Sequence, residues 1–211
     1  MKRVSLVVAA LAAALGFGAV FAAEERTQLA PEPFAGLAVA TFAAGCFWCV
    51  EPPFDKLEGV VSTTSGYIGG KVPGATYKEV SRGGTGHTEA VRVVYDPKKV
   101  GYQKLVDTFW KNVDPLDGRG QFCDKGDMYR PAVFTHGDEQ KQIAEASKAA
   151  LAASGRFKQP IVVAIAPAQE FYVAEEYHQD YYLKNPVQYA YYRWGCGRDA
   201  RLEELWGKPT S

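Results

Sequence analysis

A two-layer α+β domain is the architecture that the patterning of this chain predicts, on three observations. At 211 residues the chain is long enough to bury a sizeable core within one domain. Short β-rich runs and longer segments of helical spacing are mixed along it, without the strict alternation of a doubly wound sheet. No internal repeat is visible.

The elements follow in order. Leu37 to Phe42 is an apolar run that reads as a first strand. A turn through Ala44-Gly45 leaves Cys46 where a helix should begin, but Pro52-Pro53 interrupts that helix. Proline beyond the first turn loses a backbone hydrogen bond and clashes with the preceding turn. So either the regular helix starts near Pro52 or its first turn is distorted. Val60 to Tyr67 reads as a second strand and Thr88 to Tyr95 as a third, stopped by Asp96-Pro97. Leu105, Val106, Phe109 and Trp110 give helical spacing over Tyr102 to Asn112. Pro131 to Phe134 is a short strand. Asp138 is placed to cap a helix reaching about Ser154, and Ile161 to Ile165 is another strand. Glu175 to Leu183 reads as a last helix, stopped before Asn185-Pro186. Residues 114–126 and 187–211 lack periodicity, and long irregular segments are often functional. The sum is a compact α/β sandwich around a mixed sheet, a variant of the ferredoxin-like plait, with a long irregular C-terminal tail.

The N-terminus reads as a secretory signal over residues 1–22. Lys2 and Arg3 precede an alanine-rich apolar run from Val4 to Phe21, and Val20-Phe21-Ala22 suits cleavage after Ala22. The expectation is a periplasmic or secreted protein; an uncleaved membrane anchor is the alternative, since the run approaches spanning length. Residues 23–36 are polar and proline-containing and read as a flexible arm, which leaves 37–211 as the single domain. Export implies an oxidising compartment, where four cysteines could form two structural disulfides, although a domain of this size needs no staples. Lys plus Arg and Asp plus Glu are 24 each, with no block of like charge, so nothing suggests a nucleic-acid surface. His87, His136 and His178 are scattered without ligand spacing. Neither a metal nor an organic cofactor is expected, and the domain is expected to act as a monomer.

Chemistry concentrates in Gly45-Cys46-Phe47-Trp48-Cys49-Val50-Glu51. Two bulky rings beside a thiol would crowd a metal, which argues against zinc. At a helix start, unpaired N–H groups and the helix dipole favour the thiolate of Cys46. Phe47 and Trp48 could wall an apolar pocket next to the sulfur. These residues point to thiolate attack on something that carries a small apolar group. A rival reading takes Cys46-x-x-Cys49 as a thiol–disulfide oxidoreductase pair, though Trp48 falls between the cysteines and not before the first. A third is a secreted binding module with two structural disulfides.

Gly-Cys-Phe-Trp also resembles the signature of the A-type peptide methionine sulfoxide reductases. Gly66-Tyr67-Ile68-Gly69-Gly70, Tyr77-Lys78-Glu79-Val80, Gly86-His87-Thr88-Glu89-Ala90-Val91, Asp124-Lys125-Gly126-Asp127-Met128-Tyr129-Arg130 and His178-Gln179-Asp180-Tyr181 are similar to further blocks of that family, in order. The resemblance implies reduction of methionine S-sulfoxide, free or in oxidised proteins, by nucleophilic attack of Cys46, which becomes a sulfenic acid. It implies Glu89 as the acid that protonates the sulfoxide oxygen, with the Tyr77 and Tyr129 hydroxyls on the same oxygen. Phe47 and Trp48 would hold the methyl group, and Asp124 would hold the substrate backbone or a pocket water. His87 is expected in a supporting role. The family places recycling cysteines in C-terminal tails, so Cys196 is expected to resolve the sulfenic acid, with Cys49 next and Cys123 last. Many members carry two tail cysteines, whereas this tail has one. The commoner pattern has Gly where Cys49 stands and Asn where Cys123 stands. A thioredoxin-like protein or another dithiol is the expected reductant.

Overall fold

The structure is a computed structural model and describes residues 25–208. Its strands are β1 Ala38–Ala43, β2 Val60–Ile68, β3 Thr88–Tyr95, β4 Gly120–Gln121, β5 Asp124–Lys125, β6 Ala132–Thr135, β7 Ala164–Pro167 and β8 Tyr172–Val173. Its helices are α1 Phe47–Asp55, α2 Tyr77–Arg82, α3 Tyr102–Trp110, α4 Asp138–Ala153, α5 Tyr181–Lys184, α6 Pro186–Gly195 and α7 Arg198–Trp206.

The main sheet has the order β7-β6-β1-β3-β2-β8. Within it β1 pairs antiparallel with both β3 and β6, and β3 pairs antiparallel with β2. That inner order is the split β-α-β plait expected from the sequence. β7 joins β6 in parallel, so the sheet is mixed. Helices α1 and α3 cover one face.

Period-two alternation decides which side chains enter that layer. Ala40 and Phe42 of β1 and Val91 and Val93 of β3 join the main core under the helices. Phe42 stacks on Phe54 of α1 and Phe109 of α3. The opposite face buries Ala43, Ile68, Ala90 and Phe134 beneath Phe171. Glu89 shares parity with Val91 and Val93, so it points into the helical layer, where α1 begins.

Strand β3 has the expected bounds; the strand expected at Ile161 to Ile165 lies later, at Ala164–Pro167, and four other expectations need correction. The helix after Cys46 does start at Phe47, and it carries Pro52 and Pro53 inside it. It loses only the two bonds those nitrogens would have made, and it buries Phe47, Val50 and Phe54 in return. Gly137, not Asp138, is the N-cap of α4; Asp138 is its first residue. The stretch 175–183 is a 3-10 turn at Glu176–His178 followed by the single turn of α5, because Asp180 adopts a left-handed conformation (φ 51°) that breaks a longer helix. The tail is helical, not irregular. Pro186 ends one helix and sits at the first turn of α6, where its missing N–H costs nothing.

Two regions are more ordered than composition suggests. The arm is tied down where it is described: the Thr27 hydroxyl donates to Ala75 O at 2.9 Å, Ala30 N–H donates to Phe171 O at 2.9 Å, and Arg26 pairs with Glu79 at 3.0 Å. Segment 114–126 contains the β4–β5 hairpin. The expected signal sequence lies outside the described residues.

Glu51 on α1 gives a pH prediction. It is buried, accepts the Asp180 N–H at 3.1 Å, and lies with Asp55 and Asp180 around Thr63 and Tyr182. Burial, then the Asp55 and Asp180 carboxylates, push its pKa up to about 8 from 4.5. The folded state therefore holds a proton there that the unfolded chain releases above its own pKa. Stability from this group is full below the unfolded pKa and is lost as pH rises towards 8. Glu51→Gln should flatten the fall in unfolding free energy over that window and stabilise the protein at pH 8. Denaturant titrations at pH 5 and pH 8 check this; parallel pH profiles for the two proteins would remove Glu51 as the cause.

Candidate functional site

Gly45 sets up the site. Its φ of +85° turns the chain from β1 into α1, and a Cβ there would lie 2.5 Å from Gln121 Cβ. The turn leaves Cys46 as the N-cap of α1, as the sequence predicts. Cys46 and Cys49 are free thiols and both are buried.

Glu89 arrives from β3. Its Oε2 accepts the Phe47 N–H at 3.0 Å, one of the donors that a helix start leaves unpaired. It is almost inaccessible to solvent. Burial pushes its pKa well above the ordinary carboxylate value, with Asp124 and Cys49 adding to the rise and only the Phe47 N–H opposing it. One carboxyl oxygen is anchored and burial favours the protonated form, which suits a proton donor.

The two predicted tyrosines stand beside these groups. Tyr77 begins α2, whose start is fixed by a reciprocal Thr76–Glu79 capping box. Tyr129 ends a 3-10 turn, Asp127–Tyr129, and is hydrogen-bonded to Tyr77. Burial raises both phenols above their ordinary value, and the charges of Glu89 and Cys46 add to this. Both hydroxyls therefore remain donors.

The aromatic wall is held from behind. Trp48 lies flat on Tyr181, with ring centroids 3.7 Å apart, and its Nε1 donates to His178 Nδ1 at 3.1 Å. Phe47 and Tyr77 also pack against the His178 ring, at 4.9 and 4.6 Å. Burial lowers the pKa of His178 to about 4, so it is a neutral scaffold and not a base. Glu175 accepts Tyr67 Oη at 2.8 Å and the Tyr77 N–H at 2.7 Å. His87 stays outside the pocket: its ring accepts the Gly70 N–H at 3.2 Å and meets Val72 O at 2.8 Å, clamping the preceding loop.

Sequence reasoning passes over Tyr192, His178 and Glu175. Tyr192, on α6, donates to Asp124 Oδ2 at 2.6 Å and is also hydrogen-bonded to Cys46. Its signal is weak in the sequence, because the Asn185-Pro186 stop hides the helix that presents it.

The cysteines are arranged differently from the expectation. Cys196 is not joined to Cys46. It forms a disulfide with Cys123, with 4.9 Å between Cα atoms. Cys49, ranked second, is instead the thiol hydrogen-bonded to Cys46. Nor does the helix start keep Cys46 ionised: burial, then the Cys49 hydrogen bond and the Glu89 charge, raise its pKa well above the thiol value. The Cys49 pKa falls to about 6, through the hydrogen bond from Cys46 and, against the opposing effect of burial, the charges of Arg198 and Arg193. The shared proton therefore rests on Cys46, and Cys49 is positioned to take it.

Comparison with known proteins agrees with this geometry. The sequence profile described as Peptide methionine sulfoxide reductase matches residues 38–210. The chain is 55% identical over 167 residues to the Peptide methionine sulfoxide reductase MsrA of Listeria welshimeri, covering 79% of this chain and 94% of the relative. Methionine sulfoxide reductase A of Corynebacterium diphtheriae superimposes with a TM-score of 0.64 and 38% identity, over 72% of this chain and 77% of that one. Mxr1 from Saccharomyces cerevisiae, solved in complex with Trx2, superimposes with a TM-score of 0.50 and 25% identity, over 72% of this chain and 89% of that one. With a buried acid and a helix-capping cysteine on a plait, and with matches along nearly the whole described domain, the chain belongs to the peptide methionine sulfoxide reductase family.

Proposed function

We propose that the chain reduces methionine S-sulfoxide to methionine with Cys46 as nucleophile, Glu89 as acid and Cys49 as the resolving thiol. The observation that carries this is the meeting of Cys46 and Cys49 at the first turn of α1, where the Cys49 N–H donates to Cys46 O at 3.0 Å, beside a carboxyl whose pKa burial raises.

The substrate methyl group lies against Phe47 and Trp48, and its oxygen takes hydrogen bonds from Glu89, Tyr77 and Tyr129. Asp124, held by Tyr192, faces the substrate backbone. Cys49 receives the Cys46 proton as the Cys46 sulfur attacks the sulfoxide sulfur. Glu89 protonates the oxygen, methionine leaves, and Cys46 carries the hydroxyl as a sulfenic acid. Cys49 then attacks the Cys46 sulfur, releasing water and closing a Cys46–Cys49 disulfide. Electrons return from a dithiol protein of the thioredoxin type; the likeness to Mxr1, solved with Trx2, supports that partner. The domain works as a monomer outside the cytoplasm, once residues 1–22 are removed; the charged start and apolar run of the N-terminus support export.

A single-turnover experiment tests the resolving step. Enzyme with Cys123–Cys196 closed is given one equivalent of a blocked methionine S-sulfoxide, and alkylation with peptide mapping follows. One methionine per chain and a Cys46–Cys49 link are expected. A Cys46 sulfenic acid that persists, or a link from Cys46 to another cysteine, overturns the assignment of Cys49.

A further inference from the structure

Behind the pocket, one short turn brings an acid and an imidazole together. Strand β8 ends at Val173, and Glu175 caps the 3-10 turn Glu176–His178, whose His178 N–H donates to Glu175 O at 2.8 Å. In such a turn the side chains at i and i+3 eclipse, so the His178 ring falls beside the Glu175 carboxylate. Gln179 ties the turn to β2. It accepts the Ser65 N–H at 2.9 Å and donates to Ser65 O at 2.9 Å and Ala174 O at 2.8 Å.

The His178 ring packs against Phe47, Trp48 and Tyr77. Its Nδ1 accepts the Trp48 Nε1–H at 3.1 Å. An indole N–H only donates, so Nδ1 is the bare nitrogen, and a neutral ring then carries its proton on Nε2. Nε2 is buried without a hydrogen-bond partner among the described residues, and it faces Glu175 Oε2 at 4.0 Å. A carboxylate oxygen there favours the proton on that nitrogen. The same Oε2 accepts the Tyr67 hydroxyl at 2.8 Å, while Oε1 accepts the Tyr77 N–H at 2.7 Å. Donors thus approach Glu175 from both sides. A carboxylate accepts at both oxygens; an amide of the same shape accepts at one and presents N–H at the other.

We infer that Glu175 is a positioning residue for sulfoxide reduction: through the His178 ring it sets the Trp48 indole against the substrate methyl group, and through the Tyr77 N–H it sets the phenol that meets the sulfoxide oxygen. This rests on the roles proposed above for Trp48 and Tyr77. Both links leave one side chain, so the methyl wall and the oxygen donor keep a fixed spacing. Glu175 itself touches no reacting atom.

Glu175→Gln tests the inference, because it keeps the shape and leaves one side without an acceptor. Nitrogen-15 NMR of the full chain reads the His178 tautomer, the Trp48 indole N–H and the Tyr77 amide, assigned with His178→Phe, Trp48→Phe and Tyr77→Phe. Wild type should show His178 protonated at Nε2. In Glu175→Gln either the Nδ1–H form appears and the indole signal shifts, or the Tyr77 amide signal shifts, according to the side the new amide oxygen serves. With it, kcat/KM for blocked methionine S-sulfoxide should fall about 10–100-fold. His178→Phe keeps a ring and removes the acceptor, so it isolates the Trp48 link. Its preference for the methyl over the ethyl sulfoxide should shrink about tenfold. A wild-type His178 protonated at Nδ1 overturns the inference. So does a fall in kcat/KM with all three signals in place, which makes Glu175 a residue of the fold alone, and so do shifted signals with kcat/KM within about threefold of wild type. If Glu175→Gln does not fold, an unchanged methyl preference in His178→Phe overturns it. A wild type that converts no sulfoxide removes the proposed function instead; the NMR signals need no substrate and still judge both links of Glu175.

Discussion

Replacing Cys46 by serine is expected to abolish methionine formation, even with excess dithiothreitol. A hydroxyl in that position has neither the nucleophilicity nor the redox chemistry to accept oxygen from a sulfoxide. Removing a catalytic nucleophile typically lowers turnover by about 10³-fold or more. Neither of the nearest thiols can stand in. Cys49 lies within α1 and not at its mouth, and Cys123 and Cys196, even once dithiothreitol opens their disulfide, stand at Asp124 and not at the helix start that anchors Glu89. The substitution should leave the fold intact, because Glu89 is anchored by the backbone of Phe47 and not by the sulfur. Methionine release measured in single turnover decides this. A yield above a few per cent of wild type would place the nucleophile elsewhere.

Glu89→Gln should produce the second largest loss. The amide oxygen can still accept the Phe47 N–H, and its NH₂ can still donate to the sulfoxide oxygen. What disappears is the transferable proton. General acid catalysis is typically worth about 10²–10⁴-fold, and the rate of sulfenic acid formation should fall within that range. The pH profile adds a second signature. Glu89 has a raised pKa and acts in its protonated form, so wild-type activity is present below that pKa and is lost as pH rises through it. The variant should lack that alkaline limb. A loss below about tenfold, with the limb retained, would give the proton to Tyr77 or Tyr129.

Much of this site is legible in the sequence because it sits on regular elements. Alternation along Thr88–Tyr95 places Glu89 on the face of Val91 and Val93, and the short link from β1 places Cys46 at a helix start above it. What the sequence hides is mostly tertiary. Pro186 reads as a stop, and only packing shows that it also begins α6, which carries Tyr192 to Cys46. The Cys123–Cys196 pairing spans 73 residues, and no local pattern selects it over a link to Cys46. The direction of the Cys46 shift is hidden for the same reason. Helix-start donors favour its thiolate, but burial disfavours it, followed by the Cys49 hydrogen bond and by Glu89, 43 positions away. Pro52-Pro53 misleads in the opposite sense: a nine-residue helix whose apolar side chains fill the core tolerates two missing bonds.

The most direct measurement is an epimer-resolved assay. Blocked methionine S-sulfoxide and its R epimer are incubated separately with the full chain and dithiothreitol, methionine is quantified, and insulin disulfide reduction is followed in parallel. The proposed chemistry predicts conversion of the S epimer over many turnovers, with the R epimer untouched and insulin reduction no faster than with dithiothreitol alone. Insulin reduction without methionine formation would contradict it, and would make Cys46 and Cys49 a thiol–disulfide exchange pair.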